Sequence, residues 1–244
     1  PRFARSIMNG MAELLRFCFA AIRGGEVCPG LLSYERGIVC MNETIKTILS
    51  RRSIRAYEPR RISDKELETL LECALYAPTG GNLQNSRFLV IQSPALMEEL
   101  NQVIRDELSS REIVEGEMMA KGIRRARQEG YHFIFHAPTL ITAVAPKNHS
   151  NSMANCCMGL ENILIAAESL GLGACFSNQP HWLTDVPVVR EIFGRLGLRE
   201  EEDIFGSVSV GYPAMRPQKA AARKEGRICL DRDVLKEVQE KPCI

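Results

Sequence analysis

Arg51-Arg52-Ser53-Ile54-Arg55 sets three guanidiniums and a hydroxyl within five residues. That set can grip a phosphate through forked, charge-assisted hydrogen bonds. Ala77-Pro78-Thr79-Gly80-Gly81-Asn82-Leu83-Gln84-Asn85-Ser86 combines two glycines with three carboxamides. Backbone without side-chain bulk can approach a ligand closely, and fixed amides offer donors and acceptors, so the stretch suits a flat polar ligand. A third cluster, Arg216, Lys219, Arg223 and Lys224, follows Gly211-Tyr212-Pro213. Taken singly, each has a plainer reading: a solvated basic turn, an ordinary connection and a solvated tail.

The elements that must carry these clusters alternate in type from Met41 onward, which predicts a layered α and β domain. The Arg51 cluster ends the first helix pattern. Ser63 with Glu66 three residues on is a capping box, and Leu67, Leu70, Leu71, Ala74 and Leu75 follow at helical spacing up to Ala77-Pro78. A strand is expected over 87–92, then a helix from Pro94. The charged stretch 105–130 reads as an exposed helical excursion suited to a lid. Residues 138–146 read as a central strand. The stretch 153–174 is apolar almost all round and predicts one long helix, buried by its own domain or by a second subunit. A helix around 186–196, a strand over 204–213 and a basic, Ala-rich tail complete the pattern.

Composition narrows the partners. Hydrophobic residues make up 45% and charged residues 25%, ordinary values for a globular domain. The net charge of +1 gives no bulk attraction to nucleic acid or membrane, and the basic stretches lack interleaved aromatics. A small-molecule partner is expected. Nine cysteines without a Cys-x-x-Cys pair, and no His-Glu-x-x-His, argue against a disulfide scaffold and against a structural zinc or iron-sulfur site. Reduced thiols in a cytoplasmic protein follow, with Cys156 and Cys157 as packing residues. No apolar run reaches the roughly 20 residues that span a bilayer. Residues 1–40, with five basic and three acidic residues, read as a soluble extension of unreadable role, ahead of a main domain over 41–244 with a plausible start at Met41.

Together the stretches resemble the nitroreductase family of FMN-dependent oxidoreductases. The family patterns RRSxRxF, APSxxNxQPWxF, NLxLAAxxLGLGxxW and GYPxxxPxxxxRK have counterparts in RRSIRAY (51–57), APTGGNLQNSRF (77–88), ENILIAAESLGLGACF (161–176) and GYPAMRPQKAAARK (211–224), in the same order and spacing. The resemblance implies an α+β fold of three α/β/α layers, a mixed central sheet and an intertwined homodimer with FMN at the subunit interface. It implies that Arg51, Arg52, Ser53 and Arg55 hold the phosphate and ribityl end of FMN, joined by Arg223 and Lys224. Pro78, Thr79 and Gly80 would line the isoalloxazine, often from the partner subunit, with Asn82 and Gln84 bonding to flavin or loop backbone. Cys175, Phe176, Ser177 and Asn178 would pass near the ring edge carrying N5 and O4.

The implied reaction is ping-pong transfer of reducing equivalents from NADH or NADPH, through flavin N5, to a nitroaromatic, quinone or similar electron-poor acceptor. No protein nucleophile or metal is needed, because the cofactor carries the chemistry. The chain departs from the family pattern at Asn85-Ser86, where Pro-Trp is usual, and in the polar run after Cys175. Two alternatives therefore stand: the same fold taking electrons from ferredoxin or a reduced flavin for a dedicated substrate, and a non-catalytic FMN-binding protein.

Overall fold

The computed structural model describes residues 42–217 and 219–229, so the expected extension over 1–40 lies outside the described residues. The chain divides into two compact units between Ser50 and Arg51. In the first, helix α1 (Glu43–Ser50) starts where Asn42 Oδ1 accepts from the Ile45 N–H at 3.0 Å, a side-chain cap for an otherwise orphaned donor.

The second unit holds, in chain order, α2 (Asp64–Leu75), β1 (Arg87–Ile91), α3 (Pro94–Ser110), α4 (Ala120–Ala126), β2 (Thr139–Pro146), α5 (Ser152–Ser169), β3 (Gly173–Ser177), α6 (Gln179–Trp182), α7 (Pro187–Gly194) and β4 (Glu202–Gly211). The capping box forms as expected: Ser63 Oγ accepts from the Glu66 N–H at 3.2 Å, and Glu66 Oε2 accepts from the Ser63 N–H at 2.7 Å. Pro94 at the first turn of α3 follows Ser93, whose hydroxyl caps the Leu96 N–H.

The strands form one sheet in the order β1-β2-β4-β3. The sheet expected to be mixed is antiparallel in all three described pairings, and its parallel contact is the single bridge between Ser53 and Ala174. Helices cover both faces, giving the expected three layers of an α+β fold. On one face α2 and α5 pack Leu70, Leu160, Ile163 and Ala167 against Ile141, Ala143, Val208 and Val210. On the other, α3, α4 and α7 supply Leu100, Ile104, Ile123, Ile192 and Phe193 against Leu140, Val144 and Ile204. A central strand sandwiched in this way is apolar throughout, which is why β2 reads as a continuous run rather than an alternation.

Two expectations are corrected. The helix predicted over 153–174 stops at Ser169, because Gly171 turns the chain at φ +74° and Gly173 already belongs to β3. The excursion over 105–130 is not a free arm. α3 runs through Ser110, and α4 buries Ala120, Gly122, Ile123 and Ala126, with Gly122 so close to Trp182 that an added Cβ would lie 2.7 Å from the indole.

Candidate active site

Arg51–Arg55 lies along the outer edge of β3. The Ile54 N–H donates to the Ala174 carbonyl at 3.0 Å, and the Ile54 side chain fills the space left by Gly173, where a Cβ would lie 2.8 Å from it. Tyr57 fastens the segment from below. Its hydroxyl donates to the Ile54 carbonyl at 2.8 Å and meets Ser209 Oγ at 3.1 Å, and burial raises its pKa well above the usual phenol value. Ser209 Oγ in turn donates to the Cys175 carbonyl at 3.2 Å. Buried Ile54 and half-buried Tyr57 thus anchor a backbone from which the polar residues project.

Cys175 reports the charge that gathers there. Burial pushes its thiol up, opposed by Arg55, by a hydrogen bond from Ser53, by Arg51 and by Arg125. Three guanidiniums from two distant parts of the chain therefore act on one atom. Among the described residues none of Arg51, Arg55 and Arg125 has an ion-pair partner, whereas the neighbouring Arg124 is committed to Glu115. Arg52 differs, since its guanidinium donates back to the Arg51 carbonyl at 2.9 Å. Arg125 was not among the residues that sequence patterns singled out. Nor was Phe135, whose ring lies 5.8 Å from the Arg55 guanidinium carbon. Arg125 acts on Cys175 from 50 residues away and Phe135 meets Arg55 from 80 residues away, beyond the reach of any local signal.

On β3 itself the side chains alternate. Cys175 and Ser177 are buried and pair across the sheet with Ser209 and Ser207, while the half-exposed Phe176 turns to the opposite face, against Gly206. The side chains of Cys175, Phe176 and Ser177 therefore do not share one surface. Ser177 Oγ donates to Gln179 Oε1 at 2.6 Å, and the Asn178 carbonyl starts α6 by accepting from the Trp182 N–H.

The amide-rich loop has its own anchor. The Gly80 N–H donates to Asn155 Oδ1 at 3.1 Å, and an added Cβ on Gly80 would overlap the Asn151 side chain. Gln84 N–H donates to Thr79 Oγ1 and Gln84 Nε2 to Asn82 Oδ1, each at 3.0 Å. Asn82 and Gln84 take positive φ of 52° and 48°, a strain of order 1–3 kcal/mol each, tolerated most readily at ligand-binding turns. Pro78 is exposed, as are Asn82 and Gln84.

The two halves of the expected site do not meet in one chain. The loop sits on the first turn of α5, through Asn151 and Asn155, and Arg51–Arg55 sits beside Gly173 and Ala174, just past its last turn. The 18 residues of α5 put roughly 27 Å between those ends. Nor does the tail converge on the arginines among the described residues: Arg223 donates to the Ala221 carbonyl, and both Arg223 and Lys224 are exposed. Arg216 has a structural task, closing the C-terminus of α5 through Glu168 and the Gly171 and Leu172 carbonyls.

His132 and His136 stand four apart, with ring centroids 4.2 Å from each other, in an irregular turn. Among the described residues no group of three or more His, Cys, Asp or Glu could hold a metal ion. None of the described helices is long and apolar enough to cross a membrane.

The sequence profile of the nitroreductase family matches residues 48–212, well over half of the chain. A solved structure of a nitroreductase with bound FMN from Bacteroides fragilis superposes with a TM-score of 0.70 at 30% identity, over 79% of this chain and 100% of that one. An NADH dehydrogenase of Thermus thermophilus is 29% identical over 182 residues, 68% of this chain and 84% of its own. An NADPH-flavin oxidoreductase of Vibrio harveyi is 28% identical over 180 residues, 73% of this chain and 69% of its own. With a matching profile over most of its length and a shared three-layer fold, the chain belongs to the nitroreductase family.

Proposed function

We propose that the protein is a homodimeric FMN-dependent oxidoreductase that draws electrons from NADH or NADPH and delivers them to a nitroaromatic, quinone or similar electron-poor small molecule. The observation that carries this reading is the gathering of Arg51, Arg55 and Arg125 around Cys175 without an ion-pair partner among the described residues. Such a set calls for an external anion, and a phosphate fits its forked donors. The FMN named for the Bacteroides relative, and the flavin and nicotinamide substrates named for the other two, supply the rest of the reading.

FMN, when bound, would supply hydride acceptance and release of reducing equivalents, which suits donor and acceptor entering in turn. The residues of the chain bind and orient. Arg51, Ser53 and Arg55 hold the phosphate end, with Arg223 and Lys224 as the further cations that the family pattern implies. Backbone at Ser177 and Asn178 faces the N5 and O4 edge. Pro78, Thr79 and Gly80 lie against the ring, and Asn82 and Gln84 present their amides to it. Since that loop and the arginines sit at opposite ends of α5, the loop that completes each site comes from a second copy.

The test begins with the purified full chain: a yellow protein that releases FMN on heating is expected. Anaerobic mixing with NADH or NADPH should bleach it within turnover times. A flavin that stays oxidised with both nicotinamides but bleaches with reduced ferredoxin would assign the donor differently. One that resists all three would mark a binding protein.

A further inference from the structure

Three arginines crowd the end of α4, and two of them are committed. Arg124 pairs with Glu115, and Arg127 donates to the Ser109 and Arg111 carbonyls at the end of α3. Arg125 is exposed and, among the described residues, has no ion-pair partner. Gly122 closes on Trp182, so α4 lies against α6 beyond the end of β3. Arg125, three residues on from Gly122, neighbours that contact on the helix surface. The chain after α4 returns by two successive turns. The Gln128 N–H donates to the Arg125 carbonyl at 2.9 Å and the Tyr131 N–H to the Gln128 carbonyl at 3.4 Å. Beyond Tyr131, the Phe133 N–H donates to buried Asn101 Oδ1 at 3.0 Å and the Ile134 N–H to His132 Nδ1 at 3.3 Å, which pins the segment from the core side.

Tyr131 Oη is buried without a well-formed hydrogen bond. Gln179 stands beside it, with its own Oε1 accepting from Ser177 Oγ at 2.6 Å. Burial pushes the phenol up, opposed by Gln179 and Arg125, so the hydroxyl keeps its proton at neutral pH and stays a donor. A buried hydroxyl without a partner is costly and asks for one from outside. Arg125 acts on Cys175 as well as on Tyr131, so an uncommitted cation and an uncommitted donor meet near the part of β3 that leads through Ser177 and Asn178 into α6. Together they fit a carboxylate, with its two oxygens on the guanidinium fork and a remaining lone pair on the hydroxyl. Place decides whose carboxylate. In a nicotinamide dinucleotide every phosphate lies beyond a ribose from the reacting ring, whereas an aromatic acid carries its charge on the ring itself.

We propose that Arg125 and Tyr131 form a subsite beside the flavin edge for a carboxylate attached to the ring of the electron acceptor, so that the preferred acceptors are aromatic acids. This rests on the placing of the N5 and O4 edge at Ser177 and Asn178 under the proposed function. Arg125 and Tyr131 select the acceptor and take no part in the electron transfer.

The test titrates the flavin-loaded full chain at neutral pH with benzoate, which carries the carboxylate but no reducible nitro group, and with benzamide, its uncharged counterpart. Two signals are read: the fluorescence of Trp182, the single tryptophan of the chain and packed on α4, and the absorption band of the flavin. Benzoate should move both signals and bind more tightly than benzamide. Arg125→Ala should raise the benzoate Kd roughly 10- to 100-fold and Arg125→Lys less, while benzamide binds all three proteins alike. Tyr131→Phe should weaken benzoate about three- to tenfold without lowering the thermal midpoint, since the free protein loses no hydrogen bond; a lowered midpoint would make the hydroxyl structural and remove it from the subsite. An unchanged benzoate Kd in Arg125→Ala, or equal binding of benzoate and benzamide by the wild type, would overturn the subsite while leaving the cofactor reading intact. A Trp182 response that depends on Arg125 but leaves the flavin band unmoved would put the ring elsewhere and overturn the proposal through the reading it rests on. A raised KM for NADH or NADPH in Arg125→Ala, with benzoate binding kept, would assign the arginine to the nucleotide phosphates and overturn it as well.

Discussion

Cys175 lies under influences of opposite sign, and burial outweighs Arg55, Ser53, Arg51 and Arg125. At neutral pH it is therefore a neutral thiol and offers no counter-charge to the guanidiniums around it. Cys156, on the buried face of α5, is pushed up to about 12, chiefly by burial. Native protein treated with iodoacetamide at pH 8 should be modified at exposed Cys229 and spared at Cys156 and Cys175; peptide mass spectrometry reads the pattern. Labelling of Cys175 in the folded protein would show that the cations have overcome burial. Replacing Arg51 or Arg55 by Ala should remove charge-assisted contacts of about 1.5–3 kcal/mol, raising the FMN Kd roughly 10- to 100-fold without displacing the thermal midpoint. Equilibrium titration with FMN measures the first and calorimetry the second.

At the scale of elements, the 131–137 turn makes stability depend on pH. Burial, helped by the nearby His136, pushes His132 down from 6.5 to about 4. The unfolded chain therefore takes up the proton first as pH falls. The contribution is complete above about pH 6.5, declines between 6.5 and 4, and is gone below, a loss on the order of 1–3 kcal/mol. Urea unfolding at a series of pH values from 7 to 4 should show this decline, and His132→Asn, which keeps an acceptor for the Ile134 N–H, should flatten it. A second element-scale expectation concerns Glu202, 3% exposed at the start of β4 and bound through both oxygens by Arg87. Arg87→Ala would leave a carboxylate in the interior with the Arg199 N–H as its remaining donor, at a cost of about 3 kcal/mol by denaturant unfolding. What the sequence discloses about these elements follows their range. The Ser63/Glu66 cap and the apolar run of β2 are local, and both formed where expected. The end of α5 depends on a left-handed Gly171, and the burial of α4 depends on Trp182, some 60 residues on; neither leaves a mark in the periodicity of the segment itself.

For the whole molecule, motif order suggests which residues share a site, and it is the family resemblance, not the order, that implies a loop supplied by a partner subunit. Spacing along a sequence carries no information about whether two motifs meet within a chain or across two. The geometry of α5 does, and the exposed face it leaves agrees: Met153 is 41% and Met158 37% exposed, with Leu75, Tyr76 and Leu83 also uncovered at the end of α2 and in the loop. Under the proposed dimer this face is the seam, since apolar area of that kind needs a cover. Met158→Asp should yield a monomer in sedimentation experiments and, because each site then lacks its loop, a protein with little retained flavin. A monomer that keeps its full flavin would refute the shared site. The helix-length gap between loop and arginines has one more consequence. Co-express an Arg55→Ala chain with an Asn82→Ala chain, neither competent by itself, and in each mixed pair one pocket inherits both lesions while the other inherits none; complementation between two defective parents then becomes a direct readout of trans assembly.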